Sequence, residues 1–133
     1  MKGRIVWLLL SVTAVLGACV SREDFPPQDV AANTAKLYYQ YLIDGKYEDF
    51  VAGMVRHVEW TENDRRQMVE NAKSFVSQQK DLHQGMRNVS AIRSQVDSVE
   101  HTAMVFLMME FADNTKEEIL VPMVEKDSLW LMR

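Results

Sequence analysis

The hydrophobic period changes once along this chain, and that change demands a fold in two parts. Up to about Leu82 apolar residues recur every three to four positions, the spacing of amphipathic helices. From Asn88 onward they alternate or run together in short β-branched and methionine-rich stretches, the pattern of strands. Val30, Leu37, Tyr38, Tyr41 and Leu42 put one apolar face on a helix over 28–43, which Asp44-Gly45 ends. Tyr47, Phe50, Val51 and Met54 predict a second, shorter helix to about Val55. Thr61, with Asp64 three residues on, reads as the cap of a long third helix through Met68, Val69, Ala72, Phe75 and Val76 to about Leu82. Strands are expected over 88–99, 102–111, 117–126 and 129–133, joined by short polar turns and therefore antiparallel. The second of these is apolar on both faces, as for a central strand covered from two sides. Pro122 inside the third strand points to an edge or a bulge. Three helices followed by an antiparallel sheet make an α+β domain.

The first 18 residues do not belong to that domain. Lys2 and Arg4 precede a mostly apolar run of about a dozen residues, which ends in Gly17-Ala18. Charged start, apolar middle and small-residue end form a secretory signal, and the run is short for a permanent membrane span. The segment "LGAC" at its end resembles the bacterial lipoprotein signal. That resemblance implies cleavage between Ala18 and Cys19 and acyl chains, palmitate among them, on Cys19. Two or more chains would anchor the protein to a membrane stably. The alternatives for this sole cysteine are a buried thiol or an intermolecular disulfide, since a lone cysteine forms no internal one. Residues 19–27, with Pro26-Pro27, read as a short stiff tether. Its "RED" (Arg22 to Asp24) resembles the surface-export signal of Bacteroidota lipoproteins. Residence in the bacterial envelope is expected, on the outer membrane, facing either the periplasm or the exterior.

Charge narrows the partners. Loss of Lys2 and Arg4 with the signal reduces the 15 basic residues to 13 against 19 acidic, a formal charge of −6. Only Arg65-Arg66 cluster, whereas nucleic-acid binding needs a basic face. Nucleic acid is not an expected partner, and no cofactor is expected. Residues 28–133 suffice for one domain of ordinary size.

Two stretches carry a resemblance for that domain. "AKLYYQYLIDGKYEDF" (Ala35 to Phe50) is similar to the opening of the nuclear transport factor 2-like fold, a helix with a residue–Gly stop and an aromatic-acidic second helix. "PMVEKDSLWLMR" (Pro122 to Arg133) is similar to its closing hairpin, with a Trp on the last strand. The resemblance implies three N-terminal helices packed on a curved four-stranded antiparallel sheet, a cone whose mouth takes a small molecule. The departure is Asp127-Ser128 where such hairpins carry glycine, which predicts a turn longer than two residues. The fold hosts enzymes of the isomerase, dehydratase and hydrolase type beside binding and interaction modules, and fold alone does not decide among them. A non-catalytic role is expected: ligand binding, or pairing with itself or with an envelope protein through the sheet.

Candidate pocket residues are Tyr38 and Tyr41 on the first helix, His57 and Trp60 before the third, and Glu110 near a strand end. Glu110 alternates with Met104, Phe106 and Met108; a carboxylate inside the cone would be a general base, one at a strand end is solvated. His83 and His101 are the other histidines, and the three are too dispersed for a zinc site. Met104 and Met108 on one strand stand roughly 13 Å apart at 3.3 Å per residue, too far to share a copper ion. Methionine as adaptable core filler is the better reading of Met104, Met108, Met109, Met123 and Met132. No metal site is expected. "DSV" and "DSL" resemble the O-glycosylation acceptor of the same phylum, which would place glycans on Ser98 and Ser128.

Overall fold

The computed structural model describes residues 26–133; the signal segment, Cys19 and the tether up to residue 25 lie outside the described residues. Three helices precede four strands: α1 Pro27–Ile43, α2 Tyr47–Ala52, α3 Glu62–His83, β1 Met86–Asp97, β2 Thr102–Phe111, β3 Lys116–Lys126 and β4 Leu129–Met132. The strands form one antiparallel meander in the order β1-β2-β3-β4. Among the described residues no helix is long and apolar enough to cross a membrane.

β2 is the spine of the core. Ala103, Val105, Leu107, Met109 and Phe111 are all at most 3% exposed and share one face. Burying side chains of this size is worth about 1.5–3 kcal/mol each for the larger ones. Helices cover that face alone. On the other, Thr102, Phe106, Met108 and Glu110 are half-buried and Met104 is 43% exposed. The two-sided cover expected of β2 is therefore absent among the described residues; its outer face is apolar without a helix on it.

β1 bends round this spine by two register shifts against β2, between Met86 and Asn88 and between Ala91 and Arg93. An extra residue reverses the alternation, so Val89 faces the core before the second shift, and Val96, with the opposite parity, packs against it afterwards.

α1 lies on β1 and β2 through its smallest residues. Ala31, Ala32, Ala35, Tyr38 and Leu42 are buried, while Val30 and Leu37 are 40% and 47% exposed. The buried stripe is offset from the apolar one expected, because alanines allow a close approach that Val and Leu would prevent. The Tyr38 ring fills the space above Gly53, where an added Cβ would come within 2.5 Å of it. Its hydroxyl donates to the Trp130 carbonyl at 2.6 Å, tying α1 to β4.

α3 begins with a complete capping box: Asp64 N–H donates to the Thr61 hydroxyl and Thr61 N–H to the Asp64 carboxylate. It ends at Gln84 in the left-handed conformation. Below that end, the Asp113 carboxylate accepts from the Thr115 backbone at 3.0 Å and lies 3.2 Å from His83 Nδ1, while His83 stacks on Phe111. Of its 22 residues only Val69 and Ala72 are buried.

The last turn has two residues, not more. Asp127 and Ser128 take φ of 51° and 64°, both left-handed, which is the conformation a two-residue hairpin requires and glycine usually supplies.

Candidate functional site

Between α3 and the rest of the domain the packing is incomplete, and three adjoining cavities result. One of about 200 Å³ lies among the helices, lined by Tyr39, Leu42, Phe50, Met54, Met68 and Phe75. A second of about 340 Å³ opens toward β3 past Trp60, Val121 and Met132. A third of about 290 Å³ runs under Phe75 and Gln79 to Met109 and Ile119. Tyr39 lines all three. The whole is a cleft with apolar walls and a polar fringe of Asn71, Gln79, Glu117, Glu118 and Arg133.

Each wall has a local cause. Tyr39 projects from the flank of α1 that turns toward α2, with its ring 5.6 Å from that of Phe50. Among the described residues its hydroxyl makes no hydrogen bond, yet no buried polar atom lacks a partner. The oxygen therefore reaches the open cleft. Loss of solvent around the ring pushes its ionisation above the usual tyrosine value, so the hydroxyl stays protonated and can donate or accept. Trp60 stands at the rim, its ring held under the Arg56 guanidinium at 4.7 Å. Arg65, near the start of α3, is ion-paired to both Glu48 and Glu62, which pins α3 to α2 at one end and leaves its middle less closely held.

The residues singled out in the sequence fall in different places. Trp60 lines the cleft. Tyr38 belongs to the core, its hydroxyl committed to Trp130; burial, then neighbouring Tyr41, raises its ionisation. Tyr41 is half-buried against the core on the other flank of α1, and His57 is exposed in the loop. Glu110 lies on the outer face of the sheet, 3.3 Å from Arg87, with the helices on the opposite side. It does not join the cleft, because β2 gives its odd-numbered residues to the core. Met109, Met123 and Met132 are core filler, whereas Met104 is on the outer face. Ser98 and Ser128 are exposed in turns, the first held by the Asp97 carboxylate accepting from Val99 and Glu100 N–H.

Tyr39 is the residue that sequence reasoning missed. Its spacing to Ile43 and Phe50 was available as a signal, but Tyr38 and Tyr41 fit the apolar stripe better. No serine, threonine, cysteine or histidine lines the cleft among the described residues. His83 and His101 sit beside Asp113 and Glu125 respectively, outside it. Among the described residues no three His, Cys, Asp or Glu converge as they would around a metal ion.

No protein-family model matches the chain, and no curated protein matches it. Among solved structures it is similar to a Campylobacter jejuni protein provisionally named an NTF2-like transpeptidase. The TM-score is 0.60 at 12% identity, over 75% of this chain and 94% of that one. At that identity the likeness carries architecture and no chemistry: the domain has the nuclear transport factor 2-like α+β cone fold.

Proposed function

We propose that this chain is a lipid-anchored envelope protein whose domain holds a small apolar molecule in the Tyr39 cleft without transforming it. The observation that carries the reading is the run of three cavities round one tyrosine. Apolar walls with few polar groups are the usual make-up of a ligand pocket. Acyl transfer, which the Campylobacter protein's name suggests, needs a nucleophile and a base in contact. The cleft lining offers Tyr39 and the carboxylates of Glu117 and Glu118, but among the described residues the Tyr39 hydroxyl has no hydrogen-bonded base, and that favours binding over catalysis.

Native mass spectrometry of the chain recovered from its own host's envelope tests the reading. A bound species of a few hundred daltons, lost on exposure to organic solvent, is expected; a ligand-free chain from every preparation would refute it. The anchor rests on "LGAC" and the signal segment. Radiolabelled palmitate should enter the wild type and not Cys19→Ser. On Ser98 and Ser128, an intact mass equal to the acylated polypeptide alone would exclude glycans.

The outer sheet face supports a second reading, a homodimer. Met104 and Leu120 are 43% and 49% exposed there, beside half-buried Phe106, Met108 and Val124. The Arg93 guanidinium lies over the Phe106 ring at 3.9 Å, so the exposed apolar surface is the pair Met104 and Leu120 beside a charged strip. Exposed apolar patches rimmed by polar groups mark interaction sites. Met104→Lys should then convert a sedimenting dimer to monomer; a wild type that is monomeric at high concentration rules this out.

A further inference from the structure

Met104 and Met108 stand too far apart along β2 to share an ion, but the fold gathers methionines from three separate segments. Met54, just after α2, forms an isolated parallel bridge with Met132 of β4. Met132 N–H donates to the Gly53 carbonyl at 2.8 Å, and Val55 N–H donates to the Met132 carbonyl at 2.7 Å. Residues bridged in this way stand side by side, about 5 Å apart, with their side chains on one face. That face is the inner one, because Met132 is also paired with fully buried Met123. Met68 comes from α3. It lines the same two adjoining cavities as Met54, of about 200 and 340 Å³, and Met132 borders the larger.

Three thioethers therefore border one space, and the rest of its wall narrows what they can hold. Among the described residues that wall has no carboxylate, imidazole or thiol. Calcium and magnesium require oxygen ligands, and zinc requires imidazole, thiolate or carboxylate. Thioether sulfur is a soft, uncharged donor that selects copper(I). The nearby guanidinium groups are turned elsewhere. Arg56 lies over the Trp60 ring at the rim. Arg133 follows Met132 and so alternates to the other side of the sheet, where it borders Gln95 and Met104. Met54 and Met68 are half-buried, and their unbranched side chains are free to turn toward a common point.

We propose that Met54, Met68 and Met132 bind one copper(I) ion through their sulfurs. Each sulfur donates a lone pair to the metal, and the oxidation state does not change. The ion carries a single positive charge, and the three sulfurs replace the solvation it loses on entering an apolar cavity. The site goes beyond the small-ligand reading: an apolar molecule needs only the shape and apolarity of these walls, whereas the ion needs their sulfur atoms. The two occupants compete for the same space.

The test titrates the whole chain, carrying Cys19→Ser to remove its one thiol, against the copper(I)–bicinchoninate complex in the absence of oxygen. One equivalent of copper should leave the coloured complex. Met54→Leu and Met68→Leu should each weaken its capture by about tenfold or more, whereas Met104→Leu, on the outer face, should not. Leucine conserves volume and apolarity, so urea unfolding and the binding of an apolar fluorophore should be unchanged in these variants. Met132→Leu should act as the first two do; if that buried variant fails to fold, the other two still decide. No copper captured, equal capture by the leucine variants, or an equal loss in Met104→Leu would each overturn the proposal. Fluorophore binding without copper capture leaves the small-ligand reading standing and removes this one. Copper capture without fluorophore binding does the reverse, so the two fail separately.

Discussion

α1 and α3 flank the same sheet, and they pack in opposite ways. α1 buries three alanines and Tyr38 against β1, β2 and β4, close enough that Gly53 has no room for a methyl group. α3 is longer, yet it buries only Val69 and Ala72 and leaves Phe75 at 38% exposure and Leu82 at 69%. Small residues let α1 close on the sheet from Ala35 to Leu42, although a groove stays open between its first turns and Ala91 to Ser94 of β1, while Met68 and Phe75 border the cleft beside α3. Buried packing is concentrated on the first side and open space on the second, the unequal distribution expected of a fold that admits a ligand.

Mutations can break this contrast, and the largest effect belongs to the spine. Leu107→Ala should cost about 2–5 kcal/mol in urea unfolding, whereas Phe75→Ala on the open side should cost less than about 1 kcal/mol. Equal losses would mean that α3 is packed as tightly as α1. Gly53→Ala comes next, at about 1–3 kcal/mol, through displacement of the Tyr38 ring; its φ of −80° suits alanine, so a loss reports packing and not backbone strain. Tyr38→Phe should cost about 1–2 kcal/mol, leaving the Trp130 carbonyl without its donor.

The smallest effect is pH-dependent and concerns the far end of α3. The Thr115 hydroxyl and backbone N–H, and then His83, hold the Asp113 carboxyl below its usual range. A depressed folded value stabilises the fold above the ordinary aspartate pKa, and the contribution fades as pH falls through the lowered value. Asp113→Asn should therefore be less stable than the wild type at neutral pH, with the gap closing in acid below about pH 4. A gap that widened in acid would contradict the sign.

Much of the architecture was legible because local chemistry and global fold agree. The switch in hydrophobic period marks the boundary between helices and sheet, and Thr61 and Asp64 form the cap their spacing predicts, whereas Pro122 lies in β3 without the bulge it suggested. What was illegible depends on contacts between elements. Val30 and Leu37 match a helical stripe, but the face that meets the sheet is chosen by alanines able to approach it. Tyr38 and Tyr39 are chemically identical neighbours, and only the position of α2 sends one to the core and the other to the cleft. Glu110 alternates with apolar residues on a face that no helix among the described residues covers. Asp127-Ser128 takes the left-handed conformation without glycine because the β3–β4 register leaves two residues for the turn.

The most direct test of the central claim is titration with N-phenyl-1-naphthylamine, a neutral apolar fluorophore, on the wild type and on Met68→Trp. Met68 borders both the 200 Å³ and the 340 Å³ cavities and is half-exposed, so indole can fill the cleft without entering the core. Saturable binding by the wild type, weakened at least about tenfold in Met68→Trp with unfolding unchanged, is the expected result; tenfold corresponds to about 1.4 kcal/mol. Equal binding by both proteins, or none by either, would mean that the space around Tyr39 is a packing defect and not a site.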